Sequence, residues 1–523
     1  MAIFFDITEA AKLDHLHQLT LGEKLLLPEI MGSGLAVFDA DQDGDLDLYF
    51  LNAGRHRDDG AANQLFLRDK NGHYEEAPGA RGLDDLGYGT GVAIGDVDND
   101  GDLDVYVGNW GPDRLYLNDG HGNFKDSGQT FAAEWTTSVA MFDADLDGWL
   151  DIYAVHYVHL DERKECTLAN GRTDYCSPKV FNGIPDAFYR NQGEGKFKDA
   201  TVAAGIGAAA LNGLGIKVMD VNHDNYPDIF VTNDGEANLL WLNEGGRKFR
   251  DAGYRFGVAV NGQGSYEASM GIAWGDVDQD GDFDLLCTHL TNESHTLYLR
   301  EQAGFEDATG AFGLHVPTLA DTGFGTSFLD ADGDGDLDLV VANGRVGWAE
   351  PHPGTDPKDE WRGYPEPNRL FLNDGKGRFA VSPVRGGDFV KGLAVSRSLA
   401  AVDLDADGDC DLVIGNSRST TRIYDNQGFR GHWLALDLYL GEEKRRALGA
   451  LVTARSKSRT FIADTSQGGS YQTAVDAPLL MSLGSETSLE ALQIRWPNGE
   501  TESFEIGAVD QLYRIVKGEG ISK

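Results

Sequence analysis

The sequence predicts an all-β protein: a seven-bladed β-propeller closed by its N-terminal strand, followed by a small C-terminal β-sandwich-like domain. Three observations lead there. A nine-residue acidic pattern, Asp-x-Asp-x-Asp-Gly-x-x-Asp, recurs seven times, starting at Asp39, Asp96, Asp143, Asp220, Asp276, Asp330 and Asp403. Each copy lies between two β-rich runs, such as Gly34–Phe38 and Leu46–Leu51, and so reads as the tip of a hairpin. Glycine supplies 67 of 523 residues without a collagen period, which marks a chain rich in turns.

The repeat unit follows from what lies downstream of each acidic loop. A second signature, Leu-Tyr-Leu-Asn-x-Gly-x-Gly-x-Phe, is seen at Leu115–Phe124 and Leu370–Phe379 and reads as strand, turn, strand. Two hairpins per unit give four strands, the content of a propeller blade. The last unit runs to Tyr424–Gly428 and lacks its final strand. The N-terminal strand around Phe5 and Asp6 is predicted to supply it, which removes the open edge. Five residues before each loop stand Gly34, Gly91, Ser138, Gly215, Gly271, Gly325 and Ser398. Three before it stand Ala36, Ala93, Ala140, Lys217, Ala273, Ser327 and Ala400. Small residues at period two fit innermost strands that crowd around a channel, and Lys217 is the exception.

The repeat ends after residue 428. Residues 1–428 are read as the propeller and 429–523 as a separate β domain, with strands at Trp433–Leu440, Leu451–Arg455, Leu492–Trp496 and Tyr513–Val516 and turns at Gly468-Gly469 and Pro497–Gly499. The net charge of −41 excludes a nucleic-acid partner, because phosphate binding needs clustered cations. No apolar run is long enough to span a membrane. The expected state is a monomer. Cys166 and Cys176 stand ten apart in a loop-like stretch where a bridge is feasible, and Cys287 and Cys410 read as lone buried thiols. Met1–Asp6 shows no signal peptide, so the protein is either cytoplasmic or read from a point after a removed signal.

Carboxylates packed this densely call for a cation. Hard oxygen ligands at alternating positions suit Ca²⁺, up to seven ions, with side chains at places one, three, five and nine and a carbonyl at seven. The predicted ligands are Asp39, Asp41, Asp43 and Asp47; Asp96, Asp98, Asp100 and Asp104; Asp143, Asp145, Asp147 and Asp151; Asp220, Asn222, Asp224 and Asp228; Asp276, Asp278, Asp280 and Asp284; Asp330, Asp332, Asp334 and Asp338; and Asp403, Asp405, Asp407 and Asp411. The fourth loop has the fewest carboxylates and is expected to be the weakest site. Calcium-rich surroundings favour an extracytoplasmic location, with a cytoplasmic one as the alternative.

Thirteen residues after each loop start stand Asn52, Asn109, His156, Asn233, His289, Asn343 and Asn416. They either cap turns or line a polar throat on the face opposite the loops. Long excursions at Glu9–Ser33, Tyr157–Pro185 and Gly344–Pro367 decorate that same face and bring His15, His17, Glu29, His159, Trp348, Glu350, His352, Trp361 and Tyr364. Two functions follow. The first is a Ca²⁺-stabilised binding module with a protein or small-molecule ligand on the loop-rich face. The second is a cofactor-independent enzyme of lyase, cyclase or alkylation type at the channel mouth, with His156, His289, Lys217 and Glu29 as candidate catalytic groups.

The acidic loops and the Leu-Tyr-Leu-Asn-Asp-Gly segments resemble the FG-GAP/VCBS repeats of integrin α-subunit propellers. The stretches Pro28–Gly34, Ala268–Gly271 and Thr322–Thr326 resemble the cartilage acidic protein family. Leu448–Ala450, Leu483-Gly484 and Arg495–Gly499 resemble the ASPIC/UnbV domain. The resemblance implies a Ca²⁺-loaded propeller, in families whose members include secreted matrix-type proteins, proteins encoded with enediyne biosynthesis and, more distantly, cofactor-independent enzymes. The family's cysteine-containing insertion is present at Cys166–Cys176, and its usual leader peptide is not seen.

Overall fold

The computed structural model describes residues 2–19, 22, 24–32, 34–54, 60–441 and 445–522; Ser33, part of the Pro28–Gly34 stretch and the end of the first long excursion, lies outside them. Among the described residues, seven four-stranded antiparallel meanders follow one another along the chain. Their innermost strands are Leu35–Phe38, Gly89–Gly95, Thr136–Phe142, Gly213–Met219, Ile272–Gly275, Gly323–Leu329 and Ser396–Val402. Each innermost strand neighbours the next, and the last neighbours the first, so the meanders form the blades of a propeller. In the last blade the outermost strand is Phe4–Asp6, paired with Arg422–Asn426 in the register Phe4↔Asn426 and Asp6↔Tyr424.

The small residues five before each loop have a steric cause. A Cβ on Gly34 would lie 2.6 Å from the Thr90 carbonyl of the next blade, one on Gly215 2.4 Å from that of Met270, and one on Gly271 2.0 Å from that of Phe324. Adjacent innermost strands thus approach more closely than a side chain allows. Between blades, alternating apolar residues of facing sheets bury one another, as Tyr49, Leu65, Val92 and Val105 do between the first and second.

The C-terminal strands form two sheets around a core of Leu436, Val452, Leu483, Leu492, Trp496 and Ile515, a sandwich as predicted. The sandwich is not self-contained. Its segment Gln467–Val475 leaves it and runs into the propeller channel. Gln467 donates from Nε2 to Ile94 O at 2.7 Å and accepts from Met141 N at 3.1 Å. Val218 N donates to Gln467 O at 3.0 Å, and Gly469 N to Ile216 O at 2.7 Å. Ser470 exchanges backbone bonds with Ile272, while its hydroxyl accepts from Thr326 N and donates to Leu399 O. Thr473–Val475 adds a parallel strand to Leu35–Val37. One short segment therefore bonds the innermost strand of every blade, and the Gly468-Gly469 turn lies within the channel.

The sandwich also seats on the acidic-loop face. Arg445 donates to Gly148 O at 2.6 Å, Arg459 meets Asp336 at 2.7 Å and Arg495 meets Asp220 at 3.1 Å. Cys166 and Cys176 are disulfide-bonded. Cys287 is a buried free thiol as expected, whereas Cys410, on the loop face, is only partly buried.

Candidate metal centres and the filled channel

The seven loops share one backbone design. The carboxylate at place one accepts the N–H groups of places five and six at 2.7–3.3 Å in every loop. Place four is left-handed throughout, at Gln42, Asn99, Leu146, His223, Gln279, Gly333 and Ala406. Six of these are not glycine, and a left-handed non-glycine residue costs roughly 1–2 kcal/mol. Such repeated strain points to function. Place six is left-handed too, which explains the glycine there and makes Asn225 of the fourth loop a tolerated substitute.

The place-nine aspartates are staples as well as prospective ligands. Each accepts an N–H from the third strand of its blade at 2.7–2.9 Å. Six of them also accept the place-two N–H, as Asp47 does from Ala40; in the third loop Asp151 Oδ2 has no such hydrogen bond and pairs in charge with Arg190 Nη1 at 3.4 Å. Burial pushes Asp47, Asp151, Asp228 and Asp284 up to about 8 and Asp338 to about 9. Burial first, and neighbouring carboxylates after it, also raises Asp96, Asp143, Asp276 and Asp403 to about 6.

Ligand atoms converge. In the groups Asp39/Asp41/Asp43, Asp96/Asp98/Asp104, Asp143/Asp145/Asp147, Asp276/Asp278/Asp284 and Asp330/Asp332/Asp338, one oxygen per residue lies within 4.8 Å of the others. At place three, one oxygen of Asp98, Asp145, Asp278 and Asp332 is buried with no partner. An unpartnered buried carboxylate oxygen beside two more carboxylates fits a hard divalent cation.

The seven residues thirteen after each loop start are turn caps. Each bonds, through a side-chain nitrogen, the carbonyl just before or near the start of the third strand: Asn52 to Ala62, Asn109 to Pro112, His156 to Pro185, Asn233 to Ala237, His289 to Ser294, Asn343 to Pro367 and Asn416 to Thr420, all at 2.7–2.9 Å. In both histidines the Nδ1 therefore carries the proton. Burial lowers the His156 pKa. His289 accepts from the Ser269 hydroxyl at 3.0 Å. These histidines sit on blades three and five with a blade between them.

Lys217 does not face an open channel. Its Nζ donates to Ser466 O at 2.9 Å, and burial lowers its pKa. Glu29 accepts from Tyr175 Oη at 3.2 Å and from Gly22 N at 3.4 Å, and burial raises it to about 7. The four candidate catalytic groups are thus dispersed, each with structural partners. The channel mouth on this face is closed by an aromatic cluster including Tyr88, Trp135, Tyr157, Tyr175, Trp361 and Tyr364.

Asp174, which no sequence pattern marks, ties the two insertions together: it accepts from Trp348 N and from Tyr364 Oη, both at 2.7 Å. Arg172 stacks on Trp348 at 3.3 Å. Of the other residues of the excursions, His15 and His17 are buried, His159 is exposed, and Glu350 and His352 lie at the surface of the 344–367 insertion. A second set missed by sequence is the asparagine closing each Leu-Tyr-Leu-Asn signature. Asn118, Asn191, Asn243, Asn373 and Asn426 each reach back to the place-two carbonyl of the preceding blade's loop, and Arg300 does so in the fifth blade.

Fold and loops together define a propeller of FG-GAP-like repeats joined to an ASPIC and UnbV domain. The FG-GAP-like repeat profile matches residues 39–107, 96–154, 220–287 and 276–341, and the ASPIC and UnbV profile matches 441–522. The chain is similar to Cartilage acidic protein 1 of Mus musculus, 22% identical over 92% of this chain and 73% of that protein, and to that of Homo sapiens, 23% identical over 92% and 71%. Among solved structures it is similar to an Agrocybe aegerita lectin with specific recognition of non-reducing terminal N-acetylglucosamine (TM-score 0.42, 16% identity, 76% of this chain and 92% of that one). It is also similar to YCF48 from Cyanidioschyzon merolae (TM-score 0.39, 10% identity, 76% and 96%). No helix among the described residues is long and apolar enough to cross a membrane.

Proposed function

We propose that the protein is a Ca²⁺-stabilised binding module, with residues 1–428 as the propeller and 429–523 as the domain that anchors it, presenting a partner site on the face opposite the acidic loops. The observation that carries the reading is the convergence of carboxylates in the loops with buried, partnerless oxygens at place three. Ca²⁺ would be held by the aspartates at places one, three, five and nine, and its role is to neutralise charge and fix each hairpin. On the opposite face the disulfide-bonded 157–185 insertion and the 344–367 insertion are bound to each other through Asp174. That gives a rigid, decorated surface rather than a catalytic throat, and suits a macromolecular partner. The enzyme alternative is not favoured, because His156, His289, Lys217 and Glu29 are capped, covered or dispersed. A disulfide together with calcium loops suits an oxidising, extracytoplasmic location. The test is thermal unfolding in calcium and in excess EGTA. A large fall in Tm on chelation is expected, since an ion bound only by the folded state adds stability; an unchanged Tm would sink the calcium reading.

A further inference from the structure

We propose that the fourth acidic loop holds an arginine where its counterparts hold a metal ion: Arg495, from the C-terminal sandwich, supplies the positive charge. The inference rests on the calcium reading of the loops and concerns which loop departs from it. The fourth loop keeps the shared backbone, with His223 and Asn225 left-handed and Asp220 accepting the N–H groups of Asp224 and Asn225. What differs is the charge inside. Arg495 Nη2 lies 3.1 Å from Asp220 Oδ2, and its Nη1 lies 3.3 Å from Asn225 Oδ1. Asn222, at place three, is exposed; its amide donates to Asp224 Oδ2 at 3.1 Å and its Oδ1 accepts Asp224 N at 2.9 Å. Asp228 accepts Val221 N and Asn243 N, as its equivalents do. All three carboxylates of this loop therefore face N–H donors.

The contrast with the other loops is chemical. Asp98, Asp145, Asp278 and Asp332 occupy place three in the second, third, fifth and sixth loops, and each has a buried oxygen that nothing in the protein bonds; in the fourth loop place three is the neutral Asn222, whose amide donates to Asp224. Arginines approach other loops too, Arg190 at Asp145 and Arg385 at Asp332, but one oxygen of each aspartate stays bare, so these arginines brace the loop without filling it. A guanidinium on the place-one carboxylate and a divalent cation in the same loop would repel each other. The substitution of glycine by Asn225 fits the same role. A Cβ on Gly499 would lie 3.0 Å from the Asn225 amide carbon, so Asn225 is packed under the turn that follows Arg495. Blade four is thus seated on the sandwich by an ion pair within the protein.

The test counts calcium per chain by native mass spectrometry, read only on compact charge states, for the unmodified protein, Asp100→Ala in the second loop and Asp224→Ala in the fourth. Asp100→Ala is expected to lose one ion and Asp224→Ala to keep the full count. Loss of one ion in Asp224→Ala overturns the proposal while leaving the calcium reading intact. A full count in Asp100→Ala overturns the calcium reading itself, and this proposal with it.

Discussion

The Asn118 side-chain amide donates to the Ala40 carbonyl at 3.0 Å, fastening the third strand of blade two to the acidic loop of blade one. The same nitrogen reaches Leu103 O at 3.1 Å in its own loop. One side chain therefore ties two neighbouring loops, and the contact recurs at most joints of the ring. Asn118→Ala removes both bonds and leaves buried carbonyls unpaired. A loss of about 2 kcal/mol is expected, read as a lower urea midpoint with an unchanged slope.

Places five and nine of a loop should respond differently to chelation. Asp47 staples Ala40 N and Arg68 N whether or not an ion is bound. Asp47→Ala is expected to cost roughly 2–4 kcal/mol in EGTA, because two buried donors lose their acceptor, and more in calcium, where a ligand is lost as well. Asp43→Ala is expected to lower the Tm in calcium and to change it little in EGTA. Paired melting curves for the two variants check this.

The buried histidines of the first excursion predict a pH response. His15 is stacked on Phe50, bonds Thr421 through Nδ1 and sits beside His17, whose Nδ1 accepts from Arg418 N; both have a buried Nε2 without a partner. Burial lowers His15 to about 3 and His17 to about 4. A histidine whose folded pKa lies below its unfolded value of about 6.5 contributes stability that is whole above that value. The stability falls as the unfolded chain takes up protons, through the window from about 6.5 down to 4 and 3. At pH 5 the loss is roughly 2 kcal/mol per histidine. Urea midpoints at pH 7 and pH 5, in calcium, should therefore differ more for the native protein than for His15→Phe.

The channel segment predicts cooperativity. Gly468 has φ +81°, and a Cβ there would lie 2.5 Å from Ile216 O. Gly468→Ala is expected to lower the Tm of propeller and sandwich together. Calorimetry should show one transition for both units in the native protein.

What the sequence made legible is what repeats. Seven acidic loops at equivalent places announced hairpins, the small residues at Gly34 or Gly271 announced crowded innermost strands, and Phe5 and Asp6 announced the missing strand. The capping role at Asn52 through Asn416 was one of two readings, and only geometry separated them. Lys217 was visible as an anomaly. Its partner at Ser466 was not, because a bond from a side chain to a backbone carbonyl 249 residues away leaves no pattern in composition or period. Asn118 and its equivalents stood within a recognised signature, yet a strand-ending asparagine looks the same whether it caps its own turn or grips a neighbour. Asp220 and Arg495 each stood in a recognised motif, but their pairing leaves no trace in either motif and became visible only with the sandwich placed over the loop.

Because Gln467, Ser470 and Thr473 occupy the axle of the wheel, the hub is no open conduit from one face to the other. Large molecules that meet this protein do so at its crown, its rim or its flanks. Changes that retune recognition should accordingly gather in the outward excursions, while the hub tolerates little alteration.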